Sequence, residues 1–69
     1  MSNHVYKTVE VTGTSPDGIT QAIGNAVEKA SKSLRNVSWF EVENVRGHVE
    51  GDKVSHYQVT MKLGFRLED

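Results

Sequence analysis

Cysteine is absent from the chain, so no disulfide braces it, no thiolate serves as a nucleophile, and no Cys-based zinc cluster holds it together. Proline occurs once and the aromatic set is small, with one Trp, two Tyr and two Phe. The charge is nearly balanced, at −1 with both signs interspersed, which excludes a global basic field for nucleic acid and a polybasic tail for a membrane surface. No apolar run approaches the ~20 residues that span a bilayer, and the opening residues lack the apolar core of a signal peptide. A soluble, cytoplasmic protein is expected. At 69 residues there is room for one domain, 1–69, which buries only about 60% of its unfolded surface. Domains this small usually need a staple. With disulfides and structural metal excluded, oligomerisation remains.

The first segment, from His4 to Thr14, alternates: Val5, Val9 and Val11 share one parity, broken by Lys7, and Tyr6, Thr8, Glu10 and Thr12 take the other. This predicts a strand with one face on a core. In Gly13-Thr14-Ser15-Pro16-Asp17-Gly18 the period changes, with Ser15 suited to an N-cap, Pro16 to the first helical position and Asp17 to the positive helix end. Ile19, Ala22, Ile23, Ala26, Val27, Ala30 and Leu34 then follow at helical spacing, predicting a helix from Pro16 to about Arg35. Glu28 and Lys32 fit an i,i+4 ion pair. Gly24, inside the helix, either permits close approach of another backbone or is merely tolerated.

The remaining sequence predicts a long β-hairpin. From His56 to Leu67 the odd positions Tyr57, Val59, Met61, Leu63, Phe65 and Leu67 are apolar and the even ones are polar, charged or glycine. A strand of that length spans about 40 Å, while a compact chain of this size has a radius of gyration of about 11 Å. Its partner begins after Asn36, and Glu50-Gly51-Asp52-Lys53 forms the turn. A two-residue loop there pairs Phe40 with Leu63 and Val42 with Met61 on the core side. It pairs Trp39 with Gly64 and Glu43 with Thr60 on the outer side. The expected fold is α+β: a three-stranded antiparallel sheet in β-α-β-β order, wrapped around one long helix.

That arrangement leaves Trp39 and Gln58 on the outer face, with Val45 between them, and no element left to cover them. Two readings stand. Trp is enriched at interface hot spots, so the face fits a contact between subunits. It equally fits a stacking platform for a planar ligand, with Gln58 offering a donor and an acceptor to a heterocycle edge. Arg46 is either a phosphate or carboxylate partner or one half of an inter-subunit ion pair with Glu41, Glu43 or Glu50. His4, His48 and His56 have no metal-ligand spacing, so no metal site is expected. The glycines of TGTSPDG match neither a dinucleotide fingerprint nor a Walker loop. No nucleophile elbow or distinguished carboxylate pair exists, so no catalytic residue is assigned and no enzyme is expected. A single exposed aromatic without a basic stripe also argues against nucleic acid.

The residues behind these readings also carry a family resemblance over almost the whole chain. V-Y-K-T-V-E-V-T-G-T-S at Val5 to Ser15, W-F-E-V-x-x-V-R-G at Trp39 to Gly47, Y-Q-V at Tyr57 to Val59 and G-F-R-L-E at Gly64 to Glu68 together resemble dodecin, a family of small flavoproteins. The resemblance implies twelve copies in a hollow shell of cubic symmetry, with flavins stacked in pairs between tryptophans at two-fold axes. It implies Trp39 as the stacking residue and Gln58 as the hydrogen-bonding partner of the flavin edge. Arg46 matches an arginine of the bacterial members, which look like binders of FMN, with riboflavin or FAD as further candidates and coenzyme A as a possible second ligand. The alternative is a structural oligomer whose Trp39 face only joins subunits.

Overall fold

A computed structural model describes residues 3–68 of the chain. Residues 1, 2 and 69, included in the single-domain reading, lie outside them. The elements follow the expected order: β1 (Tyr6–Ser15), α1 (Ile19–Ser31), β2 (Val37–Glu50) and β3 (Lys53–Arg66). The helix is shorter than expected at both ends. Ser15 is the last residue of β1, buried at 3% exposure, and its Oγ accepts a hydrogen bond from the Asp17 backbone N–H at 2.9 Å. It therefore closes a local turn instead of capping a helix, an alternative use that serine hydroxyls readily make of the backbone. Gly18, at φ 152°, is the residue that leads into α1, and the first helical bond runs from the Ala22 N–H to the Gly18 carbonyl at 3.0 Å. At the other end Ser33 and Leu34 both donate to the Ala30 carbonyl, and Asn36 turns the chain out at φ 66°. Leu34 thus lies beyond the helix. The expected Glu28–Lys32 pair is absent among the described residues; Gln21 and Asn25 form the i,i+4 contact, at 3.1 Å.

The three strands form one antiparallel sheet in the order β1-β3-β2, with the alternating strand β3 in the middle. Paired residues share a face. Val59, Met61 and Leu63 are fully buried under the helix, which fixes the odd positions of β3 as the inner face. The expected register holds from Trp39↔Gly64 through Phe40↔Leu63 to Val42↔Met61. It then shifts. Asn44, not Glu43, pairs with Thr60, leaving Glu43 as an extra residue on β2. A β-bulge of this kind changes the parity of everything beyond it. From there Val45 pairs with Val59 and Arg46 with Gln58, until a shift at Ser55 of β3 restores Val49↔Val54 and Glu50↔Lys53; a further shift lies at the start of β2, where Ser38 is the extra residue between Val37↔Phe65 and Trp39↔Gly64. Glu43 keeps to the outer side, where its carboxylate lies 3.6 Å from the Lys62 ammonium.

The helix packs against β1 and β3 through Ala22 and Ala26, with Ile23, Val27 and Ala30 at the margin. Alanines bring it close to the sheet. The tightest approach is at Gly13, where an added Cβ would overlap the Ala22 carbonyl oxygen and come within 2.8 Å of the Ala26 Cβ. Gly24, by contrast, faces open space, so within one chain close approach belongs to Gly13. Gly13→Ala should therefore lower unfolding stability by about 1–3 kcal/mol, the usual cost of overpacking, in a denaturant titration. An unchanged midpoint would mean that α1 can retreat without loss.

The strand β2 lies past the reach of α1. Phe40, Val42, Val45 and Val49 of β2 and Val54 of β3 occupy the inner face yet remain exposed. The molecule extends over 56 × 20 × 14 Å with a radius of gyration of 14.3 Å, well above the compact value. One chain has built a sheet wider than its lid.

Candidate functional site

The outer face carries the single tryptophan, and the sheet beneath it explains its pose. Trp39 pairs with Gly64 on the central strand, and a Cβ built on Gly64 would overlap Cε2, Cζ2 and Cδ2 of the indole. The ring lies directly on the glycine backbone. Covering a strand glycine with a cross-strand aromatic protects backbone that would otherwise face water. Tyr6, on the far strand β1, leans toward the indole with ring centroids 6.4 Å apart and planes at 52°. With one face on Gly64 and an edge near Tyr6, the indole still leaves 40% of the residue exposed. That is a fixed aromatic surface open on one side.

The second part of the face is a cross-strand pair. Arg46 and Gln58 are direct partners in the register, and both belong to the outer set because the Glu43 bulge has turned Arg46 out. Without the bulge, Arg46 would share parity with Phe40 and Val42. Among the described residues its guanidinium makes no ion pair, so one chain does not supply the glutamate partner considered for it. Val45 is corrected by the same bulge. It was expected between Trp39 and Gln58 on the outer face, but its partner Val59 is fully buried, which assigns Val45 to the inner face.

Trp39 and the Arg46–Gln58 pair share a face without sharing a neighbourhood. The indole sits over Gly64, six positions along β3 from Gln58, which is about 20 Å at the rise of a strand. On one chain the two parts of the face are therefore separate. Between them lie Thr12 and Thr60, whose hydroxyl oxygens are hydrogen-bonded at 3.0 Å, and the Glu43–Lys62 pair. Beyond the Arg46–Gln58 pair, toward the turn, the His48 and His56 rings stack at 5.2 Å and 19°, with Ser55 Oγ 3.2 Å from His56 Nδ1. No group of three metal-ligating side chains forms among the described residues.

The hollows of the chain do not compete with this face. A groove of about 540 Å³ runs between the open edge of β1 and α1, but its Asn25 is already committed to the Thr14 carbonyl at 3.0 Å and no aromatic lines it. Beside Trp39 and Phe40 there is only about 140 Å³. Sites for drug-sized ligands run to about 300–1,000 Å³, so a single chain presents a platform and lacks the walls of a pocket. No helix is long and apolar enough to cross a membrane among the described residues.

Three comparisons bear on this geometry. The Dodecin family model matches residues 5–68. The Thermus thermophilus protein named Dodecin is 48% identical over 65 residues, covering 94% of each chain. Among solved structures, dodecin from Streptomyces coelicolor superimposes with a TM-score of 0.93 at 59% identity, over 100% of this chain and 99% of that one. Dodecin from Streptomyces davaonensis does so with a TM-score of 0.94 at 50% identity, over 99% of this chain and 100% of that one.

Proposed function

The chain belongs to the dodecin family, and from that premise we propose that it is a flavin-sequestering protein that holds FMN, with riboflavin or FAD as weaker alternatives, between subunits of a cytoplasmic homododecamer. The observation that carries this reading is the indole laid flat on Gly64 with its other face open. An isoalloxazine ring system is planar, apolar on its faces and lined with donors and acceptors at its pyrimidine edge. The donor set fits it: Trp39 supplies the stacking surface, Gln58 a donor and an acceptor, and Arg46 a cation for a phosphate or for an electron-rich edge.

The separation within one chain sets how the site is completed. Two-fold axes between subunits would set a stacked pair of flavins between the Trp39 side chains of two copies, with Gln58 and Arg46 reaching each ring from a chain other than the one whose indole it stacks on. Each flavin then lies between halves contributed by different chains, which supports the same conclusion as the uncovered inner face of β2. A bound flavin supplies redox-active and light-absorbing chemistry. The protein's residues bind it and exclude water from its faces, with no residue assigned a catalytic role, and storage without turnover is the function proposed. Coenzyme A as a second ligand remains part of the proposal only through the family.

The test is a flavin titration by fluorescence combined with mass measurement of the assembly. Quenched FMN bound by a dodecamer supports the reading. A dodecamer indifferent to every flavin would leave the Trp39 face as a subunit interface only, and a flavin-free monomer would refute the whole reading. Arg46→Ala is expected to weaken FMN by roughly tenfold, the loss of one charge-assisted contact of about 1.5 kcal/mol, while riboflavin changes little. Equal losses for both flavins would assign Arg46 to the ring and not to the phosphate.

A further inference from the structure

We propose that Tyr6 is a second-rank electron donor that repairs Trp39 after one-electron oxidation, so that the outer face carries a short tyrosine-to-tryptophan relay. Its use in the cell rests on the flavin reading above, because a photoexcited flavin stacked on the indole is the one-electron oxidant that would create the need. The transfer itself depends only on the two residues.

Tyr6 is 44% exposed, on β1, and its ring centroid is 6.4 Å from that of Trp39. At this separation the two π-systems are close enough for direct electron exchange, with no intervening side chain needed. The central strand keeps them there, since Thr8 and Trp39 both pair with Gly64 and Tyr6 lies two positions along β1 on the same face. Near neutral pH a phenol that releases its proton is easier to oxidise than an indole, so the transfer runs from Tyr6 to Trp39.

Trp39 gives one electron to the oxidant and loses its indole N–H proton to water, becoming a neutral radical. Tyr6 then gives one electron to Trp39 and its phenolic proton to water, and the indole nitrogen takes a proton back. The sum is one hydrogen atom moved from Tyr6 to Trp39, leaving a tyrosyl radical. That radical is restored by one electron and one proton, from the reduced oxidant or from a soluble thiol that can reach the exposed ring. The other tyrosine, Tyr57, pairs with Ser15 on the inner face and has no part in this path. The oxidised state is thereby moved from the ligand platform to the rim of the sheet.

The experiment uses the flavin-free protein, with azide radical generated by pulse radiolysis to oxidise tryptophan. In the wild type the visible band of the tryptophan radical should decay as the tyrosyl band grows, at a rate independent of protein concentration. Tyr6→Phe keeps the ring and its packing and should abolish that growth, while Tyr57→Phe should leave it intact. A transfer that survives Tyr6→Phe overturns the proposal, as does the absence of any transfer in the wild type. A second readout uses FMN-loaded protein under light, with Trp39 oxidation followed by mass spectrometry. Tyr6→Phe should accumulate oxidised Trp39 several-fold faster, and equal accumulation counts against the relay. Failure of FMN to bind is a failure of the flavin reading alone, since the azide experiment contains no flavin.

Discussion

Trp39→Ala is expected to lower FMN affinity by roughly a hundredfold or more, close to abolishing binding at micromolar protein. Stacking of one heterocycle on one aromatic side chain is worth about 1–3 kcal/mol. Removing the only indole also leaves the glycine backbone beneath it open to water, and each variant subunit loses the open face against which a ring would lie. Trp39→Phe keeps a smaller ring on Gly64 and should lose less, about tenfold. The measurement is a fluorescence titration of FMN, in which the wild type quenches the flavin and Trp39→Ala leaves it emitting. Affinity retained in the alanine variant would remove Trp39 from the site and leave its face as an interface between subunits.

The second large effect comes from a residue that touches no ligand. Gly64→Ala places a methyl group where indole Cε2, Cζ2 and Cδ2 now lie, and an aromatic ring has no flexible end to yield. The indole must lift or swing aside. The expected outcome is a loss of FMN affinity of about tenfold or more, together with about 1–3 kcal/mol of stability from overpacking. Gly47→Ala is the control, because a Cβ there meets only ordinary contacts, the nearest being the His56 carbonyl oxygen at 3.5 Å. If Gly64→Ala binds FMN like the wild type, the pose of the indole on the sheet is not what prepares the platform. Comparing stability with affinity separates the two effects: a structural defect alone would shift the denaturation midpoint and leave the affinity of the folded fraction unchanged.

Much of this fold is written in local periodicity. Strand β3 alternates without interruption from His56 to Phe65, as a strand with a helix over one face and a platform on the other requires, whereas its central place in the sheet is not fixed by that pattern, which an edge strand shows equally. The helix face was legible for the same reason, but its start was not. Ser15 and Pro16 are as suitable for a tight turn as for a cap, and only the buried Ser15 Oγ, bonded to the Asp17 N–H, distinguishes them. The Glu43 bulge was missed although it left a trace. The inner apolar positions of β2 run Val37, then Phe40 and Val42, then Val45 and Val49, changing parity twice, and each change within one strand is what an extra residue, Ser38 and then Glu43, produces. Reading Val45 as an outer-face residue preserved the parity and lost the bulge. Consequently the outward turn of Arg46, which brings it beside Gln58, was not derivable from a uniform register. The opposition of Trp39 and Gly64 was legible in the register, whereas its meaning required seeing the indole lie on the glycine. Tyr6 gave no signal beyond its parity, because its approach to Trp39 spans two strand neighbours.

In the proposed assembly, the uncovered inner face of β2 would make the last stage of folding a bimolecular event. Phe40, Val42, Val45, Val49 and Val54 remain in water until another chain arrives, so the time a new chain spends unfinished depends on how many others surround it. At low abundance such a molecule would be a long exposed edge, attractive to proteases and to the wrong strands; above a threshold it would disappear into its own assembly. Dilution would then be a stress for this protein in the way that heat is for others.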